Sequence, residues 1–170
     1  MRFKPIKSVD YLVVHASASQ AKSDIGVKEI DAMHRKRGFI GGVGYHYVIR
    51  RDGTIEKGRP DNKPGAHARG YNHLSLGICL IGGVKQVRDP VTKKLTLEPE
   101  DNFTDKQKLA LYDLLSRLSA EHPDATILGH RDLPDVRKAC PSFDVREWWD
   151  TMRSGKAWDC ATDIDPYLTM

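Results

Sequence analysis

The chain lacks any apolar run near the ~18 residues that a membrane-crossing helix requires, has no dense Lys/Arg tract, and carries only three cysteines. The first absence excludes a helical membrane span. The second leaves a net charge of +4 dispersed over 170 residues, which tolerates a polyanionic partner without calling for nucleic acid. The third, an odd and small number, argues against a disulfide framework and leaves each thiol to be read on its own. The opening residues, Met1-Arg2-Phe3-Lys4-Pro5-Ile6-Lys7, begin basic but have no apolar core of a secretion signal. The expectation is a protein made, and at first kept, in a cytoplasm.

A hydrophobic content of 39% in a chain of this length suffices for one domain with a real core. There is no internal repeat and no linker between two units, and strands and helices mix along the chain, so the fold class expected is α/β in a single domain. Tyr11-Leu12-Val13-Val14-His15 is a buried-strand run that ends in a histidine. Residues 27–37 have Val27, Ile30, Met33 and His34 at helical spacing, with Gly38 as a stop and His34 in a structural role. Two β-rich runs joined by Asp52-Gly53 predict a hairpin. Strict alternation there puts Tyr45, Tyr47 and Ile49 on one face and His46, Val48 and Arg50 on the other.

Residues 60–72 form a polar, Gly-containing loop that carries His67, and residues 74–81 form another buried strand with Cys79 as a small core residue. Residues 88–101 read as a charged surface excursion with a small hairpin. Residues 104–121 are the clearest helix, with a Thr104–Gln107 capping box and a stripe of Leu111, Leu114, Leu115 and Leu118. Asp144 and Glu147 open a last helix whose Trp148 and Trp149 pack. We divide the chain into one folded domain at 1–152 and a C-terminal tail at 153–170, which holds Cys160.

The stretch with chemistry is Gly129-His130-Arg131-Asp132-Leu133-Pro134-Asp135-Val136-Arg137-Lys138-Ala139-Cys140-Pro141. The apolar run Ala125-Thr126-Ile127-Leu128 delivers His130 from a strand end, and a loop then delivers Cys140. Imidazole and thiolate are zinc donors, and His15, at another strand end, is the third of the kind. Three protein donors leave a fourth position open, as in catalytic rather than structural zinc sites.

Two other motifs do not hold. His130-Arg131-Asp132-Leu133 matches the start of a protein-kinase catalytic loop, but Arg137 stands where that loop needs an asparagine. Gly38-Phe39-Ile40-Gly41-Gly42-Val43-Gly44 resembles a phosphate cradle, yet it leads into a strand instead of a helix N-terminus. It reads as a turn that lets the backbone pass close to a neighbour.

Seven ordered stretches make the chain resemble the zinc-dependent N-acetylmuramoyl-L-alanine amidases of the type-2 amidase and peptidoglycan-recognition superfamily. The likeness is strongest to the amidase-type lysozymes (endolysins) of podovirus-like phages. The stretches are Val14-His15-Ala16-Ser17-Ala18, Val43-Gly44-Tyr45-His46-Tyr47, Arg51-Asp52-Gly53-Thr54, His67-Ala68-Arg69-Gly70-Tyr71-Asn72, Gly77-Ile78-Cys79-Leu80-Ile81-Gly82-Gly83, Asn102-Phe103-Thr104 and Lys138-Ala139-Cys140-Pro141-Ser142-Phe143-Asp144. The resemblance implies a central mixed β-sheet flanked by helices. It also implies one Zn2+ per chain held by His15, His130 and Cys140, a catalytic pair of Tyr45 and Lys138, and His67 as a substrate-binding residue of the cleft. The loop from His130 to Cys140, with Leu133-Pro134-Asp135, is longer than the family pattern leads one to expect.

The activity that this resemblance implies is hydrolysis of the amide between N-acetylmuramic acid and L-alanine in peptidoglycan. The expected setting is a phage endolysin, a monomer without a membrane anchor, accumulating in the host cytoplasm and reaching the wall after membrane permeabilisation. Some amidases of this kind also bind their phage's RNA polymerase, and the basic N-terminus is the stretch available for that contact. Three rival readings stand beside this one: a cytoplasmic bacterial amidase recycling muropeptides, a peptidoglycan-binding module that has lost catalysis, and a cysteine hydrolase using Cys140 with a histidine. The presence of Cys140 argues against the binding module.

Overall fold

A computed structural model describes residues 4–156 of the chain. In chain order the strands are β1 (Tyr11–Ala16), β2 (Tyr47–Ile49), β3 (Ile55–Lys57), β4 (Ser75–Leu80), β5 (Val84–Arg88), β6 (Leu95–Pro99) and β7 (Thr126–Gly129). The helices are α1 (Val27–Lys36), α2 (Asp105–Glu121) and α3 (Val145–Arg153), and a single 3-10 turn spans His130–Asp132. Five strands form one mixed sheet in the order β3-β2-β4-β1-β7, in which β2, β4, β1 and β7 are mutually parallel and β3 is antiparallel to β2. β5 and β6 form a separate antiparallel hairpin.

Parallel strands buried on both faces need apolar runs, and β1 and β4 supply them. One face of the sheet is lined by Leu12 and Val14 from β1, Tyr47 and Ile49 from β2, and Leu76, Ile78 and Leu80 from β4. The α2 stripe Leu111, Leu114, Leu115 and Leu118 closes over it, together with Val145 of α3 and Phe143. Trp148 and Trp149 pack at its margin. Helix α2 begins where the sequence places it: Thr104 Oγ1 accepts from the Gln107 amide at 3.1 Å, and Gln107 Oε1 accepts from the Thr104 amide at 3.0 Å. The buried Gln107 side chain also donates to the carbonyls of Ile49 and Ile81, fastening the helix start to the ends of β2 and β4. A side chain that serves a cap and two strand ends at once leaves no orphan amide in the core.

The opposite face meets α1 and the loops. Ile30, Val43, Val48, Cys79 and Ile81 make one cluster there, and Val13, Ala68, Leu128 and Leu133 another. The glycine-rich turn does pass close to a neighbour: the Gly44 carbonyl accepts from the Ala66 amide at 3.0 Å, where a Cβ on Gly44 would run into the Ala66 backbone. The buried Arg59 pins both segments by donating to the carbonyls of Ile40, Val43 and Pro64.

Two expectations are adjusted. β2 starts only at Tyr47, so Tyr45 lies outside the strand and packs on the α1 side with Val48, not with Tyr47 and Ile49. The hairpin expected within 88–101 begins earlier, at Val84, because the strand pairing continues until it reaches Gly83. The long loop after His130 is anchored by the 3-10 turn and by Leu133, which is buried against Val13 and Leu128. Of the segment set apart as a tail, α3 includes Arg153, and residues 157–170, with Cys160, lie outside the described residues.

Candidate metal centre

In sheets of this kind, sites form beyond the carboxyl ends of the parallel strands. The register pairs Val14 of β1 with Gly129 of β7, so the next residues on the two strands are His15 and His130. Their ring centroids lie 4.6 Å apart. The loop that leaves the 3-10 turn returns beside them because the Arg131 amide donates to the Cys140 carbonyl at 2.8 Å. That bond brings Cys140 to the end of β1, where its Sγ accepts from the Ala16 amide at 3.3 Å and lies 3.9 Å from His15 Nδ1. One donor atom from each of His15, His130 and Cys140 falls within 4.8 Å of the others, so these three could hold a metal ion.

Around this group the sheet face is polar and paired. His15 Nε2 lies 2.8 Å from His67 Nδ1, and His67 Nε2 lies 3.3 Å from Ser75 Oγ. Asn72 holds the loop that carries His67, its Oδ1 accepting from the amides of both His67 and Ala68. Gly77 leaves the space for the imidazole, since a Cβ there would approach the His67 ring to 2.6 Å. His46, fully buried, accepts from the Gly77 amide through Nδ1 and donates to the Lys63 carbonyl through Nε2. His34 accepts from the Gly44 amide and stacks against Tyr45 with centroids 5.5 Å apart, which gives the structural histidine a definite task. Tyr45 in turn rests on the His15 ring at 5.1 Å.

Burial dominates the titration of these groups, because a desolvated imidazole resists charging and a desolvated thiol or phenol resists losing its proton. Burial, followed by the neighbouring imidazoles of His67 and His130 and the charge of Lys138, holds His15 well below the usual histidine range. Burial brings His67 down to about 3 and His46 to about 4. His130 is lowered by burial and then by Lys138. Burial raises Cys140, while the Ala16 amide and then Lys138 oppose the rise. Tyr45 is pushed well above 10 by burial, with Cys79 and Cys140 adding to it. At neutral pH the cluster therefore offers uncharged imidazole nitrogens, the form a metal accepts.

An open cleft of about 540 Å³ reaches the group at His130, the one of the three that lines it. The loop containing His67, Arg69 and Asn72 forms one wall, and His130, Arg137 and Lys138 form the other. The structure thus gathers every site residue named from the sequence: His15, His130 and Cys140 together, Tyr45 and His67 against His15, and Lys138 exposed at the cleft. His67 does two things in one place, lining the cleft and bonding to His15. Sequence reasoning assigns no part to Ser75, Asn72 or Gly77. A serine inside an otherwise apolar strand run is the one available signal for Ser75.

The family model for N-acetylmuramoyl-L-alanine amidase matches residues 5–143. The endolysin of Escherichia phage T7 is 41% identical over 150 residues, covering 88% of this chain and 91% of that protein. The endolysin of Klebsiella phage KP32 is 40% identical with the same coverage. Among solved structures, the N-acetylmuramoyl-L-alanine amidase LysC from Clostridium intestinale URNW superposes with a TM-score of 0.66 at 26% identity, covering 86% of each chain. Drosophila PGRP-LB does so with a TM-score of 0.61 at 25% identity, over 89% of this chain and 82% of its own. With its fold, its cleft and its ordered motifs accounted for, the chain belongs to the N-acetylmuramoyl-L-alanine amidase family.

Proposed function

We propose that this protein hydrolyses the amide joining the lactyl group of N-acetylmuramic acid to L-alanine in bacterial peptidoglycan, with one zinc ion held by His15, His130 and Cys140. The observation that carries the reading is the convergence of two imidazoles and a thiol, within 4.8 Å, one of them, His130, lining an open cleft. The donor set fits the ion: both imidazoles are uncharged, and although burial raises the Cys140 thiol, the Ala16 amide and then the Lys138 charge oppose that rise, leaving a soft sulfur donor that gives up its proton on binding a metal. Zinc on these donors supplies a Lewis acid for the scissile carbonyl and a water whose pKa is about 7.

The remaining work falls to the chain. Water attacks the carbonyl carbon, the C–N bond breaks, and a proton ends on the departing amine of L-alanine. Lys138, exposed at the cleft on the loop that ends in Cys140, supplies the positive charge for the oxyanion that develops. One such group contributes on the order of 3 kcal/mol to the transition state. Tyr45 keeps its proton at neutral pH, since even an unperturbed phenol loses it only near pH ~10. It therefore serves as a hydrogen-bond donor that orients the attacking water. His67 presents an edge of its ring to bound substrate from the opposite wall.

The biological setting proposed is a phage endolysin that accumulates in the host cytoplasm and acts on the wall once the membrane is permeabilised. Relatives named endolysins at about 40% identity over most of the chain support it. Among the described residues no helix is long and apolar enough to cross a membrane. Intact murein as the preferred substrate fits this setting, whereas a preference for soluble muropeptides points to wall recycling instead. The phage RNA polymerase is a second partner to test by pull-down, and recovering none removes it without touching the hydrolase reading.

The decisive experiment joins metal analysis to mass spectrometry of digested murein. The expected result is one zinc per chain and a cut between the lactyl group and L-alanine, abolished by chelator and restored by zinc. Lysis that resists chelator but yields to thiol alkylation assigns the chemistry to a cysteine hydrolase instead.

A further inference from the structure

We propose that His67 and Ser75 are positioning residues: with the Tyr71 carbonyl they form a relay that fixes which nitrogen of His15 carries its proton, and so which nitrogen faces Cys140. The inference rests on the reading of His15 as a metal ligand for its consequence, but the relay itself is a property of this chain's own residues.

The argument starts at the far end, where only one arrangement is open. A carbonyl oxygen can only accept, and Ser75 Oγ lies 2.6 Å from the Tyr71 carbonyl, so the hydroxyl proton points there. Ser75 Oγ is then left with lone pairs alone toward His67 Nε2, 3.3 Å away, and His67 Nε2 must be the donor. A neutral imidazole has one N–H, so His67 Nδ1 is bare and accepts across the 2.8 Å contact from His15 Nε2. By the same rule His15 Nδ1 is bare. That is the nitrogen 3.9 Å from Cys140 Sγ, on the side where the three candidate donors gather.

The relay is held from several sides. Ser75 is fully buried at the first position of β4, and Gly77, two residues on along the same strand face, leaves the room for the His67 ring. Asn72 fixes the backbone of His67 through two amide bonds. The His15 ring lies edge-on to His67, with planes at 86°, so His67 sets its orientation as well as its tautomer. Hydrogen-bonded partners behind metal-ligating histidines usually fix the tautomer and raise donor strength. Here the partner is a second histidine whose own state is set one residue further back.

The test uses the full chain and does not depend on lysis. Long-range proton–nitrogen NMR of the metal-free wild-type protein, with histidine nitrogens labelled, is expected to show His15 and His67 each protonated on Nε2 and bare on Nδ1. In Ser75→Ala the anchor is gone, so the His67 and His15 signals are expected to move toward mixed tautomers. Zinc affinity, measured by competition with a chromophoric chelator, is expected to fall about 10–100-fold. A proton on His15 Nδ1 in the wild-type protein overturns the relay, as does unchanged zinc affinity and an unchanged His15 tautomer in Ser75→Ala. If the wild-type tautomers are as stated and shift in Ser75→Ala, but zinc does not bind either protein, the relay stands and the metal reading of the site falls.

Discussion

The two faces of the central sheet are built on opposite principles. The face under α2 and α3 is closed by leucines, isoleucines and aromatic rings. The α1 face carries the buried histidines His15, His34 and His46, with the half-buried His67 among them, each imidazole paired to an amide, a carbonyl, a hydroxyl or another ring. A buried polar group stabilises nothing unless its partner is in place, and it costs about 1–3 kcal/mol when the partner is missing. One sheet therefore divides the labour. Its apolar face holds the strands in register, and that register lets the other face assemble donors from distant parts of the chain.

Given that division, substitutions on the two faces separate stability from chemistry. The largest effect is expected at the donors: Cys140→Ala, or removal of metal by chelator, reduces wall lysis to background while the unfolding midpoint of the metal-free protein stays near that of the metal-free parent. Lys138→Ala follows, lowering kcat about 10²–10³-fold with little change in stability, as read from steady-state kinetics on solubilised murein. On the other face Leu115→Ala should cost about 2–5 kcal/mol in urea unfolding and leave the specific activity of the folded fraction intact. A Leu115 variant that lost activity while keeping its stability would break the comparison.

Acid supplies a probe of comparable size. Burial lowers His46 from 6.5 to about 4 in the folded protein, so the native state favours its neutral form. Above pH ~6.5 neither state binds this proton, and the contribution to stability is at its full value. Between that pH and about 4 only the unfolded chain takes the proton up, and stability falls by about 3 kcal/mol in all; below that window this group adds no further slope. The check is urea unfolding at a series of pH values for the wild-type protein and His46→Gln, the variant showing the shallower decline. The smallest effect belongs to the β5–β6 hairpin, outside both faces: Val91→Ser, at a tip that is 85% exposed, should change stability by less than about 0.5 kcal/mol.

How much of this is legible in the sequence differs between the faces. The apolar face is readable because its signals are local and periodic. The α2 stripe, the Thr104–Gln107 box and the runs of β1 and β4 each announce themselves within a few residues. The candidate donors are readable as residue types at the ends of recognisable strands or loops, while their joint role as metal ligands comes from the resemblance and not from the spacing of His15, His130 and Cys140. Alternation puts Tyr45 on the wrong face because it runs past the point where pairing starts; a residue outside the ladder does not obey a period of two. The Ser75–His67–His15 line is invisible for another reason. It depends on which strand lies beside which, and on space left by a missing side chain at Gly77, and neither leaves a trace in local composition.

The contact between Cys140 and His15 spans 125 positions of the chain, and this has a temporal meaning. During synthesis the first donor leaves the ribosome long before the last. A growing polypeptide can lay down β1 and α1 yet cannot bring three donors together until the stretch beyond β7 has emerged and folded back. Fragments that end between His130 and Cys140 carry both imidazoles without the Cys140 thiol, and shorter ones that end with β7 keep His15 alone, so an interrupted translation yields a product without the full candidate set.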